Sequence, residues 1–121
     1  MGISYLSEDI ILVELPPDKF QREDELKNLN ETVTDNCQCD VIVDFSNIEI
    51  INSWNISNLL ILRSMLEEAG RKLILCDVSS LTKCIFTVAG LNDVLVFSDT
   101  RSAALDMLQQ TASNKTTSTK K

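Results

Sequence analysis

Four short apolar runs punctuate the chain: DIILVEL (Asp9 to Leu15), DVIVDF (Asp40 to Phe45), KLILCDV (Lys72 to Val78) and DVLVFS (Asp93 to Ser98). Each is rich in Val, Ile and Leu and is bounded by polar or turn residues, as buried strands are. The apolar positions are nearly continuous rather than strictly alternating, which is what a sheet with at least one well-covered face produces. Residues Ile3 to Leu6 are expected to add an edge strand, paired antiparallel to the first run through a turn at Ser7 and Glu8.

Between these runs the apolar spacing becomes helical. Pro16 and Pro17 close the second strand, and an acidic stretch from Gln21 to Val33 follows, with Phe20, Leu26, Leu29 and Val33 at helical intervals. Ser53 to Ala69 is the strongest helix: Ile56, Leu59, Leu60, Leu66 and Ala69 recur at steps of three and four, and Gly70 stops it. Ser79 or Ser80 is placed to cap a shorter helix that runs to Ala89 and ends at Gly90. Thr100 is placed to cap a last helix, Arg101 to Gln110, with Ala104, Leu105 and Leu108 on one face. Strands alternating with helices imply an α/β layer fold with right-handed crossovers and some parallel pairing. The predicted organisation is one domain over residues 1–110 and a disordered, polar, lysine-bearing tail over 111–121.

Composition narrows the function classes. A chain of 121 residues supports a single hydrophobic core. No window approaches the roughly 18 consecutive apolar residues of a membrane span, and MGISYLSEDI lacks a basic region followed by an apolar one. Leu6 stands where a myristoylation pattern wants Ser or Thr. A cytoplasmic protein with no membrane insertion is therefore expected. The net charge of −7 and the pI near 4.4 argue against direct nucleic-acid binding, which needs clustered Lys and Arg. The tail holds three lysines and no acid, so the rest is more acidic than the total suggests and favours basic partners.

Candidate chemistry is sparse. The chain has no histidine, which removes the commonest general base and metal ligand. With three glycines and no GxGxxG, GxxxxGK or GxSxG motif, it cannot build the usual phosphate-cradling loops or a nucleophile elbow. The acid groups Glu23, Asp24, Glu25 and Glu67, Glu68 fall on solvated helix faces. Cys37 and Cys39 form a CxC pair, but Cys76 and Cys84 lack close-spaced partners, so no zinc set is assembled and reduced thiols are expected. Neither an enzyme nor a cofactor or metal protein is indicated.

One junction carries more: VIVDFSNIEIINSWNISNLLILRSMLEEAG, Val41 to Gly70. A buried strand ends at Asp44 and Phe45, an apolar patch (Ile48, Ile50, Ile51) follows, and the amphipathic helix opens at Asn52 and Ser53. Asn52 is expected to cap, which places Ser53 in the first turn, where orphan amides and the helix dipole favour an anion. A phosphoryl group on Ser53 is chemically suited to that place; a plain helix cap explains the same two residues. If the helix buries its 56/59/60/66 stripe, Trp54, Asn58 and Ile61 lie on the other side, either as scattered surface residues or as a docking patch with Trp54 as anchor.

At this junction the sequence resembles the STAS family, the domains of sulfate transporters and anti-sigma-factor antagonists. The family pattern is a strand ending in Asp or Asn plus a hydrophobic residue, an apolar patch, then Asp-Ser-Ser/Thr-Gly opening a helix; here Asn52-Ser53-Trp54-Asn55 overlies that tetrad. AGRKLILCDVSS (Ala69 to Ser80) and IFTVAGLNDVLVFSDTRSAALDML (Ile85 to Leu108) resemble the family's second half, so the likeness covers roughly Ile3 to Gln110. It implies a STAS fold: a mixed β-sheet of about four to five strands with helices packed mainly on one face. It also implies a non-enzymatic partner switch acting in signal transduction and transcription regulation, with Ser53 as phosphoacceptor. Asn52, Trp54, Asn55, Asn58 and Ile61 would form the partner-binding surface. The implied partners are an anti-sigma-factor-type serine kinase and a phosphoserine phosphatase. The sequence departs from the pattern in three ways: Asn52 replaces the family Asp, Trp54 is large and aromatic, and Asn55 replaces the family Gly. An aromatic at this place resembles stressosome scaffold proteins, which implies the alternative of a non-phosphorylated scaffold or transporter-accessory adaptor.

Overall fold

The chain forms β1 (Gly2–Ser7), β2 (Ile10–Glu14), α1 (Lys19–Asp35), β3 (Asp40–Asp44), α2 (Ser53–Glu68), β4 (Leu73–Cys76), α3 (Ser80–Val88) and β5 (Val96–Ser98), then a helical stretch over 101–108, α4. The computed structural model describes residues 2–16, 19–35, 39–48, 53–91 and 93–108. The 111–121 tail, Asn52 and Cys37 lie outside them. The strands make one sheet in the order β1-β2-β3-β4-β5. β1 runs antiparallel to β2, and the other three neighbour pairs are parallel.

Burial on both faces explains the unbroken apolar runs, because successive strand residues point to opposite sides. Ile11, Val13, Leu15, Val41, Val43, Phe45, Leu73 and Leu75 pack with Leu26, Leu29 and Val33 of α1, Leu59, Leu62 and Leu66 of α2, and Phe86 of α3. The alternate residues Ile10, Leu12, Ile42, Ile74 and Cys76 pack with Ala104 and Leu108 of α4. Three helices therefore cover one face and one helix the other. This is the α/β arrangement expected from the sequence.

The helix ends follow from residues next to them in sequence. Gly70 and Gly90 both sit at φ 75°. The amide that follows each glycine bonds back to a carbonyl five residues earlier: Arg71 N to Leu66 O at 2.7 Å and Leu91 N to Phe86 O at 2.8 Å. Glycine accepts this left-handed turn without a Cβ penalty. Ser79, rather than Ser80, caps α3 by accepting from the Thr82 amide at 3.2 Å. The Thr100 hydroxyl accepts from the Ala103 amide at 3.0 Å and caps α4.

Two expectations are corrected. The last strand is shorter than Asp93 to Ser98, because the amides of Val94 and Leu95 turn back to Leu91 O at 3.0 and 2.9 Å and pairing with β4 begins only at Val96. In α2 the buried seam is Asn55, Leu59, Leu62 and Leu66. Ile56 and Leu60 are only partly buried and Ala69 is exposed, so the buried face is rotated from the 56/59/60/66 stripe toward Asn55 and Leu62.

Candidate functional site

Parallel strands deliver their chain ends to one edge, and here that carboxyl edge carries two groups of side chains. The first belongs to the start of α2, which the crossover from β3 to β4 brings there. Ser53 is the first residue of the helix, and the first turn contains no acidic residue to neutralise its positive end. Trp54 is 40% exposed and Ile61, two turns on, 53% exposed. They present an aromatic and a branched aliphatic on the solvent side of the helix.

The other residues named from the sequence are placed differently. Asn55 was expected on the partner-facing side; it is buried, one turn before Leu59 on the seam, so its side chain is not offered to a partner in this conformation. Asn58 is half-buried and joins the two helices: its Oδ1 accepts from Asn30 Nδ2 of α1 at 3.0 Å, and its Nδ2 donates to the Trp54 carbonyl at 2.9 Å. This second bond ties the Asn58 side chain to the backbone beneath the exposed indole.

The second group joins residues that lie far apart in the sequence. Asp44 ends β3 with its side chain 3% exposed. Arg101 at the start of α4 reaches it with Nη2 at 2.5 Å, and the same nitrogen donates to Glu14 Oε2, at the end of β2, at 2.9 Å. The Ser46 amide donates to Asp44 Oδ1 at 2.8 Å. Burial alone would push the Asp44 carboxyl up, but the Arg101 hydrogen bond and the Ser46 bonds outweigh it and hold the group below its ordinary value. The sequence signal was an acid closing two strands, at Glu14 and Asp44, and a lone arginine opening the last helix. Nothing in their spacing links three positions so far apart.

Cys76 lies beside this ion pair, and Asp77 follows it in the left-handed region at φ 55°. One ligand atom from each of Asp44, Cys76 and Asp77 falls within 4.8 Å of the others. The chemistry of the set does not suit a metal. The Asp44 carboxylate already binds Arg101 and Ser46, and the Cys76 thiol is pushed up to about 12 by burial and by Asp44 and Asp77. A metal needs the thiolate. The cluster is instead a clamp that fixes the last helix to the second and third strands. Among the described residues no helix is long and apolar enough to cross a membrane.

Residues 19–104 match the family model of the STAS domain. No curated protein sequence matches the chain. Among solved structures, a serine-to-glutamate variant of RsbS from Moorella thermoacetica superposes with a TM-score of 0.79 at 18% identity, covering 92% of this chain and 96% of that one. A chain from a structure of the stressosome, described there as a signal integration and transduction hub, gives 0.73 at 17% identity, covering 92% and 98%. The anti-sigma-factor antagonist SpoIIAA gives 0.70 at 15% identity in its unphosphorylated form, covering 89% and 96%. The phosphorylated form from Bacillus also gives 0.70, at 16% identity, covering 88% and 97%. At these identities the likeness is one of fold.

Proposed function

The chain belongs to the STAS domain family, and from that premise we propose that it is a cytoplasmic anti-sigma-factor antagonist, a non-enzymatic switch that works by binding a partner. The observation carrying this reading is the start of α2. Ser53 opens a helix whose first turn has no acid, beside exposed Trp54 and Ile61. In the unphosphorylated state the indole and Ile61 dock on an anti-sigma-factor-type serine kinase, which thereby releases its sigma factor. Transfer of a phosphoryl group to Ser53 adds about −1.5 to −2 charge inside that footprint. The helix dipole tolerates the anion in the free protein. In the complex the dianion must be desolvated against the partner, so the complex dissociates. A phosphoserine phosphatase resets the switch. The resemblance of the fold to SpoIIAA supports the reading.

A second reading is favoured by one observation: Asn52 stands where the family motif has Asp, and a tryptophan follows the serine. On that reading the chain is a constitutive scaffold or adaptor, and the likeness to a stressosome chain supports it. Intact-mass spectrometry of protein isolated from its own cells, with Ser53→Ala alongside, separates the two. One phosphate on the wild type and none on the variant is expected, together with loss of partner capture by Ser53→Asp. An unmodified protein under all growth conditions, with capture unaffected by Ser53→Asp and abolished by Trp54→Ala, would establish the scaffold instead.

A further inference from the structure

Trp54, Asn58 and Ile61 follow the i, i+4, i+7 rule and so share one stripe of α2. The two ends of the stripe, Trp54 and Ile61, are open to solvent, and its middle is claimed by α1. The Asn58 side chain is an amide with one accepting and one donating end. Its Oδ1 accepts from Asn30 Nδ2 at 3.0 Å, and its Nδ2 donates to the Trp54 carbonyl at 2.9 Å. By the i→i−4 pattern, that carbonyl also accepts the backbone amide of Asn58, one of the first intrahelical bonds of α2. Helix ends are where backbone bonds open most readily, and Ser53 and Trp54 stand on this end. The second donor on the Trp54 carbonyl holds the turn shut. Asn30, 28 residues away in the sequence, decides which end of the Asn58 amide faces it.

Building on the reading of this turn as the docking face, we propose that Asn30 is a positioning residue for it. A donor at position 30 orients the Asn58 amide so that its NH2 group pins the Trp54 backbone, and α1 thereby keeps the Ser53–Trp54 turn ordered in the free protein. The entropy of ordering the turn is then lost on folding and not at docking, which is how preorganisation raises affinity. The two-sidedness of the amide has a specific consequence. A carboxylate at position 30 offers only acceptors. It draws the Asn58 NH2 group towards α1 in a charge-assisted bond and turns Oδ1 towards the Trp54 carbonyl, where two acceptors cannot bond. The bridge between the helices survives and the pin is lost. A carboxylate at position 58 acts from the other side: it still accepts from Asn30 but has no donor for Trp54.

Trp54 is the one tryptophan of the chain, so its fluorescence reports this turn alone. Acrylamide quenching of Trp54 and amide hydrogen exchange by NMR, both on the full chain at neutral pH, test the assignment. The variants are Asn30→Asp, Asn58→Asp and, as a control for charge, Asn28→Asp at an exposed position of the same helix. Asn30→Asp and Asn58→Asp should each increase the quenching and speed exchange of the residue 58 amide about fivefold, the factor that one ordinary hydrogen bond is worth. The amides of Leu29 and Leu62, both fully buried, should keep their wild-type rates, and Asn28→Asp should match the wild type throughout. Wild-type quenching and exchange in Asn30→Asp overturn the proposal. An equal release in Asn28→Asp overturns it too, because charge alone would then be the cause. So does equal acceleration at Leu29 and Leu62, which would make Asn30 a packing residue only. Every readout is taken on the free protein, so a failure of the docking reading in the partner experiments is not mistaken for a failure of the bridge.

Discussion

Arg101 ties the last helix to the sheet, and its removal gives a sharp test of how the carboxyl edge is held. Arg101→Ala leaves Asp44, 3% exposed, with the Ser46 amide but without its cation. Stranding a fully buried charge costs about 3–5 kcal/mol. Arg101 is itself 43% exposed, so water replaces part of what it supplied, and a loss of about 2 kcal/mol is expected once that screening is allowed for. Asp44→Asn should cost less, about 1 kcal/mol, because it leaves no buried charge and Arg101 keeps Glu14 at 2.9 Å. The pH dependence distinguishes an electrostatic clamp from simple packing. The folded-state value of Asp44 is depressed, so its contribution is present above the unfolded value of about 3.9 and is lost as pH falls through the lower folded value. Between wild type and Arg101→Ala the unfolded value cancels; in the variant, burial without the cation raises the Asp44 carboxyl, so the gap should be largest at neutral pH and above and should close as pH falls from that raised value through the depressed wild-type value. Urea unfolding followed by circular dichroism reads this directly. With a slope of about 1.5 kcal/mol/M the pH 7 midpoint should fall by about 1.3 M. A loss under about 0.5 kcal/mol, a gap equal at pH 7 and pH 3.5, or a larger loss for Asp44→Asn would refute the reasoning.

Two further substitutions test the packing and the turns. Leu62, fully buried on the α2 seam, should cost about 3 kcal/mol on replacement by alanine, while Ile61→Ala on the opposite side stays within about 0.5 kcal/mol; the same urea titration decides it, and equal losses would mean that the helix is rotated. At Gly90 an added Cβ meets nothing within 4 Å, so Gly90→Ala isolates the cost of φ 75°, about 1 kcal/mol, seen as a fall in melting temperature of several degrees.

The strands were legible because Ile10 to Val13, Val41 to Val43 and Leu73 to Cys76 are buried on both faces, and a residue covered on both sides must be apolar wherever it falls. Helix ends were legible because glycine at a left-handed position and a hydroxyl at a cap act through neighbours in sequence. The seam of α2 was harder. Asn55 is polar yet buried, and in the run Leu59-Leu60-Ile61-Leu62 every position is aliphatic, so spacing does not single out Leu62 over Leu60 as the buried one. The start of β5 failed for a similar reason: Val94 and Leu95 are apolar, but their amides are already engaged by Leu91. The Arg101 clamp was invisible because its partners lie 57 and 87 residues away, and only the folded sheet brings Glu14 and Asp44 side by side. Within the candidate site, Trp54 and Ile61 fall on the solvent side as their spacing suggested, whereas Asn58 is drawn into a helix–helix bond by Asn30, which no local pattern encodes.

The sheet order repeats the order of the chain, and this bears on how the molecule comes into being. As synthesis proceeds, every new strand finds its neighbour already made, so assembly can advance one unit at a time with short loops to close. The face lined by Ile10, Leu12, Ile42 and Ile74 is the exception. It stays bare until residues 101–108 emerge and fold back. Until then the nascent chain carries a sticky, half-finished surface, and the arginine that latches this helix down is also what ends that vulnerable period.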